Sequence, residues 1–273
     1  MHAKARMLSV AMGVVALPAF VAPTAAGQSG SPEGRSTPNQ EIRLQTGGSC
    51  ASGLPDAPGG GAEKVSALID RLTAQGLAQD EIDAKLAQDA CLQRVDDGGG
   101  DVTTLGNPDD EISIGKPLIY RPAGKSYYIA AASWKWKKIP KDIDGYDGFG
   151  ISFNKKVTHL AHSLTYKGKY YGKKKMKQAE DSGPYGAAFI FNEGPRGYAG
   201  LDIQGRRGTM VIAFKPTSGC QKVQAFSKYA HTWKSTSVTS ASIGKWSIGF
   251  AWTNYDHKWQ QASQPSGEAK VCR

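Results

Sequence analysis

From residue 112 to the end, short runs of β-branched, aromatic and small apolar residues alternate with turn-forming clusters. The runs are Tyr127 to Ala130 continuing through Trp134-Lys135-Trp136, Phe149 to Phe153, Val157 to Tyr166, Ala187 to Phe191, Tyr198 to Ile203, Thr209 to Phe214, Val223 to Tyr229 and Lys245 to Trp252. Between them stand Asp144-Gly145, Gly183-Pro184, Gly194-Pro195-Arg196-Gly197, Gly205-Arg206-Arg207-Gly208 and Ser218-Gly219, all residues that set turns. No helix-length apolar period separates the runs, which disfavours parallel βαβ winding. The pattern predicts an antiparallel β-sandwich or Greek-key barrel of about eight to ten strands over 112–273.

The chain upstream has a different texture. Residues 1–26 read as a signal peptide: a basic start at Lys4 and Arg6, an apolar run from Leu8 to Val21, and small residues up to Ala26. That run is about 14 residues, short of the ~20 a spanning helix needs. Residues 27–61 are rich in Gly, Ser, Pro and Thr and read as a flexible segment. Over 62–95, Val65, Leu68, Ile69 and Leu72 line one helix face, Gly76 stops it, and Ile82, Leu86 and Ala90 line a second. The result is a short helical hairpin, too small to hold a core alone. Residues 96–111 form a linker to the β domain.

Four cysteines in an exported chain predict two disulfides. Their placement favours Cys50 with Cys91 and Cys220 with Cys272, although four cysteines allow three connectivities.

Charge is divided unevenly. Up to Glu111 there are 8 Lys and Arg against 15 Asp and Glu; from Ile112 there are 26 against 9. A domain this basic attracts polyanions, and an acidic hairpin suits it as a mask or a docked neighbour. Lys167, Lys169, Lys173, Lys174, Lys175 and Lys177 fall in one stretch without an acid, with Tyr170 and Tyr171 among them. Trp134 and Trp136 flank Lys135 on an earlier strand, the indoles on one face and the lysine on the other. Together these residues form a candidate surface for an anionic envelope or extracellular polymer, with the alternative that the Trp face is core and the lysines serve solubility.

Other candidates for chemistry are sparse. Asp142, Asp144 and Asp147 partly match a calcium loop, but the closing Glu is missing and Phe153 stands there, so no cofactor is expected and calcium is the weak exception. His159 and His162, three apart on a strand, should face opposite ways. His231 and His257 each lie close to a tryptophan, and Glu193 and Asp202 are the acids to test first for hydrolysis. Metalloprotease, nucleophile-elbow, P-loop, dinucleotide and dedicated nucleic-acid motifs are absent. The Ser/Thr run from Ser235 to Ser242, followed by Trp246, Ile248, Phe250 and Trp252, has the alternation of a membrane-inserting hairpin and equally of an ordinary strand pair.

Ala132-Ser133-Trp134-Lys135-Trp136, the run Asp144 to Phe153 and His231-Thr232-Trp233 together resemble secreted β-domain proteins of high-GC Gram-positive bacteria. The resemblance spans 112–273, implies export and an all-β domain, and carries over no functional residue. The expected function is non-catalytic binding of an anionic polymer or cell-envelope surface. The alternatives are a secreted hydrolase or carbohydrate-active protein and, third, a membrane-active β-protein.

Overall fold

The computed structural model describes residues 58–96, 111–140, 142–194 and 202–273. Two helices come first, α1 (Pro58–Ala74) and α2 (Gln79–Ala90). Sixteen strands follow: β1 (Leu92–Arg94), β2 (Ile112–Ile114), β3 (Leu118–Pro122), β4 (Tyr128–Trp136), β5 (Tyr146–Phe153), β6 (Val157–Lys167), β7 (Lys174–Met176) and β8 (Asp181–Gly183), then β9 (Gly186–Asn192), β10 (Arg207–Pro216), β11 (Cys220–Val223), β12 (Ala225–Thr232), β13 (Val238–Gly244), β14 (Ser247–Trp252), β15 (Lys258–Ala262) and β16 (Ala269–Cys272). Several strands are only three or four residues long, too short for alternation to be legible, so the count exceeds the eight to ten expected.

The architecture is a β-sandwich with every strand pair antiparallel. One sheet has seven strands in the order β1-β3-β4-β10-β6-β7, with β2 also paired to β4; the other has five in the order β15-β12-β5-β9-β8. Between them lies an aromatic core. Trp134 contacts Phe149, Phe191 and Tyr229 at ring separations of 4.7, 5.1 and 5.4 Å. Trp134 and Trp136 are 2% and 1% exposed. They are core, so the exposed aromatic platform expected from them does not exist. The alternation on β4 was right, and it is the sandwich interior that claims the indole face.

The hairpin covers the opposite face of the larger sheet. Val65, Leu68, Ile69, Leu72, Ile82 and Leu86 pack with Leu118, Tyr120, Ile129, Ala131, Val211 and Ala213 in a second core. Strands β4 and β10 are therefore buried on both sides, and the described residues of hairpin and sandwich belong to one compact unit. Helix α1 begins at Pro58, four residues earlier than expected, because a proline at the first helical position forfeits no hydrogen bond. Residues 58–61 thus leave the segment expected to be flexible; the remainder of it, 27–57, and residues 1–26, read as a signal peptide, lie outside the described residues. Gly76, at φ +77°, ends α1 as expected. A polar cluster fixes α2: Tyr120 donates to Asp83 at 2.8 Å, and Arg94 reaches Asp83 at 3.2 Å and Asp96 at 2.6 Å.

Cys220 and Cys272 are bonded, joining the paired strands β11 and β16. Cys91 is disulfide-bonded as well; Cys50, its expected partner, lies outside the described residues. The run Val223 to Tyr229 divides at Gln224 into β11 and β12, and Tyr198 to Ile203 falls mostly outside the described residues. Strands β13 and β14 form the hairpin that the Ser/Thr pattern left open. It lies on the five-stranded sheet, where a Cβ on Gly148 would fall 2.9 Å from Phe250 Cζ and one on Gly150 3.2 Å from Ile248 Cγ2. Ile248 and Phe250 are thus spent on packing, while Trp246, at the turn, is 41% exposed. No helix among the described residues is long and apolar enough to cross a membrane.

Candidate functional site

Two places concentrate polar chemistry, and β4 contributes to both. On the helix-bearing face of the large sheet, antiparallel register sets Arg207 of β10 between Lys135 of β4 and Lys167 of β6. Like charges directly opposite one another destabilise a sheet, so a row of three cations is retained at a cost. Lys135, Gly168, Lys169, Arg206 and Arg207 line a pocket of about 200 Å³. Asp202, fully buried, shapes it by accepting the Tyr170 backbone N–H at 2.6 Å, with the Arg206 guanidinium 3.7 Å away. Gly168 permits this approach: a Cβ there would sit 3.0 Å from Asp202 Cγ.

The acidic hairpin reaches the edge of this row. Asp70 of α1 pairs with Lys167 at 3.0 Å and with Arg207 at 3.4 Å. Glu63 pairs with Lys175 and, at 2.7 Å, with Lys177; the two ammonium groups hold its carboxyl below the usual carboxylate range. Lys167, Lys175, Lys177 and Arg207 are therefore partly neutralised within the molecule. Lys173 and Lys174 are exposed on the same loop. Lys169 lies over the Tyr170 ring at 4.8 Å, Tyr170 is 47% exposed, and Tyr171 is half-buried.

The second place is at the end of the sandwich core. Gly145, at φ +110°, turns the chain into β5 and delivers Asp147 into the interior. There Asp147 accepts hydrogen bonds from the Tyr229 hydroxyl at 2.6 Å and the Thr232 backbone N–H at 2.9 Å, with His231 Nδ1 at 3.1 Å. Glu193, just past β9, brings Oε1 to 3.8 Å from the same nitrogen. Asp147, Glu193 and His231 are 0%, 1% and 3% exposed, and their ligand-type atoms all lie within 4.8 Å of one another. No N–H or hydroxyl donor among the described residues reaches either Glu193 oxygen, whose carboxyl faces that of Asp147. Burial, and then the neighbouring Asp147 charge, push the Glu193 carboxyl well above its usual value and the Tyr229 phenol likewise.

His231 also lines an open cleft of about 290 Å³ with Glu111, Trp136, Pro140, Asp142, Trp233 and Trp259. The imidazole lies against Trp136, Trp259 and Trp233 at 4.9, 5.4 and 5.5 Å. The three aspartates of the supposed calcium loop separate. Asp147 turns inward, Asp142 is at the cleft rim 3.6 Å from Lys234, and Asp144 is exposed. Only Asp147 lies on β5; Asp142 and Asp144 belong to the loop before it, so the strand carries Asp147 into the core and leaves the other two outside.

His159 and His162 do come together, against expectation. An extra residue on β6, Leu160, bulges out between the pairs Ala213–Ala161 and Phe214–His159 and shifts the β6 register by one residue. Both rings then share a side, with His162 Nδ1 2.8 Å from His159 Nε2. Burial lowers the affinity of both rings for a proton, and for His162 the His159 charge adds to it. Of the acids singled out from sequence, Glu193 and Asp202 are both buried beside these sites. The partnership of Asp147 with His231 was not legible, since 84 residues separate them.

No protein-family model matches the chain, and no curated protein does. A solved structure described as AvmM, which catalyzes macrocyclization in alchivemycin A biosynthesis, aligns with a TM-score of 0.29 and 11% identity over 63% of this chain and 97% of that one. An overlap that slight carries no functional argument.

Proposed function

We propose that this is an exported, non-catalytic protein that binds an anionic polymer of the envelope or extracellular space, at the pocket of Lys135, Lys169, Arg206 and Arg207 and along the adjoining lysine loop. The observation that carries this reading is the in-register cation row Lys135–Arg207–Lys167 across three strands. A sheet tolerates such a row where an anion supplies the missing charge, and Asp70 supplies it to Lys167 and Arg207 but does not reach Lys135. The polymer would take the place of Asp70 at the other end, its successive anionic groups following the loop toward Lys173 and Lys174. The test is fluorescence anisotropy with labelled polyphosphate. Four contacts of this kind give a log–log salt slope of about −3 to −4, so affinity falls roughly a hundredfold between 50 and 200 mM salt. Lys135→Ser with Lys169→Ser should flatten the slope by about two units. Salt-insensitive binding, or an unchanged slope in the double variant, overturns the reading.

The cleft supports a second reading, a carbohydrate-active protein. Two half-buried indoles, Trp233 and Trp259, beside a carboxylate-held imidazole suit the apolar face of a sugar ring, with His231 positioned for proton transfer. Quenching of tryptophan fluorescence by neutral glycans, unaffected by salt and lost in Trp233→Ala, would favour it.

A further inference from the structure

We infer that Asp147, Glu193 and His231 together hold one divalent transition-metal ion of the zinc class at the floor of the tryptophan cleft. The strongest support is Glu193. It is 1% exposed, no N–H or hydroxyl donor among the described residues reaches either oxygen, and the group it faces is another acid, Asp147. A buried carboxylate without donors is expensive, and no Lys or Arg among the described residues pairs with it or with Asp147. Asp147, beside it, takes two firm donors, Tyr229 and Thr232, so the polar supply of the site has gone to one carboxylate and bypassed the other. A cation between them resolves the imbalance. Two carboxylates and a neutral imidazole bring two negative charges, which a divalent ion cancels.

Geometry and donor type agree with that choice. Nδ1 of His231 lies 3.1 Å from Asp147 Oδ2 and 3.8 Å from Glu193 Oε1. Bonds of about 2.0–2.2 Å, ordinary for zinc to nitrogen or carboxylate oxygen, span such separations at common coordination angles. The mixed nitrogen and oxygen set suits a first-row transition metal; calcium wants six to eight oxygens, more than the two carboxylates offer. Tyr229 and Thr232 orient the Asp147 carboxylate, as hydrogen-bond partners of metal ligands do. On binding, the Glu193 carboxyl releases its proton to solvent, the neutral ring carries its one proton on Nε2, and Nδ1 gives its lone pair to the ion. The three ligands come from β5, the end of β9 and β12, which are neighbours in one sheet. The ion would therefore tie that sheet together and fix the ring whose outer edge faces the cleft.

The experiment uses the whole chain, stripped with a strong chelator and dialysed. Elemental analysis after zinc is returned should give one equivalent per chain. At a free concentration about a hundredfold above Kd, zinc should raise the melting temperature by roughly 5–10 °C. Calcium should not substitute. Glu193→Gln, nearly isosteric, should keep the near-ultraviolet dichroism of the folded chain while losing the zinc response. His159→Asn with His162→Asn, which removes the other histidine pair, should retain it. No stoichiometric metal, a zinc response surviving in Glu193→Gln, or one lost only with His159 and His162 overturns the inference. So does a Glu193→Gln chain that melts higher than a wild type indifferent to chelator, since Glu193 is then a buried neutral acid.

Discussion

Gly208 is paired with Trp134 across the β4–β10 ladder, and the indole crosses the space where its side chain would be. A Cβ there would lie 2.6 Å from Trp134 Cζ3, against 3.4–4 Å for ordinary contact. The indole cannot simply retreat, because Phe149, Phe191 and Tyr229 close in from the sandwich interior and Nε1 donates to the Gly205 carbonyl at 3.0 Å. Overfilling a packed core by one methyl costs about 1–3 kcal/mol. Losing the indole hydrogen bond adds about 1 kcal/mol. Gly208→Ala should therefore destabilise the fold by roughly 2–4 kcal/mol, or about 4–16 °C in Tm for a domain of this size. Urea denaturation followed by tryptophan fluorescence and far-ultraviolet dichroism measures it. Gly172→Ala is the control, since a Cβ there meets nothing within 4 Å, and it should change stability by less than about 0.5 kcal/mol. Adding Trp134→Phe to Gly208→Ala should recover part of the loss on top of the Trp134→Phe background. A Gly208→Ala chain as stable as the control would refute the packing argument.

Two more expectations follow from the charges. Glu63→Gln frees Lys175 and Lys177 from their ion pairs; it should tighten polyphosphate binding and steepen the salt slope by about one to two units, with stability changed by less than about 1 kcal/mol because the pairs are largely exposed. Deleting the whole hairpin is not an equivalent test of masking, since Val65, Leu68 and Leu86 complete the second core and their loss would expose the sheet. Burial lowers the proton affinity of His159 and His162 below that of the unfolded chain, where each binds a proton near pH 6.5. The contribution is thus fully present above pH 6.5 and is lost as pH falls below it, by at most about 1.4 kcal/mol per pH unit for each ring. His159→Asn with His162→Asn should flatten the Tm profile between pH 7 and 5; an unchanged profile would show that these rings do not titrate with unfolding.

Alternation and turn chemistry in the sequence pointed to an antiparallel sandwich or barrel, to the cores of β4, β5, β6, β9, β10, β12 and β14, and to the helical hairpin, while cysteine placement favoured the pair that closes β11 on β16. Those signals are local, and each reports which way a side chain faces relative to its own strand. What stands on the far side of that strand is decided only by tertiary packing. The same alternation that separates Trp134 and Trp136 from Lys135 fits a surface platform or a core, and the second sheet makes it a core. Gly208 reads as a turn residue beside Gly205, yet it lies within β10 as the gap an indole fills. A bulge that no residue type announces unites His159 with His162. The meeting of Asp147, Glu193 and His231 depends on three strands that become neighbours in space while remaining far apart along the chain, and no pattern within one strand can report it.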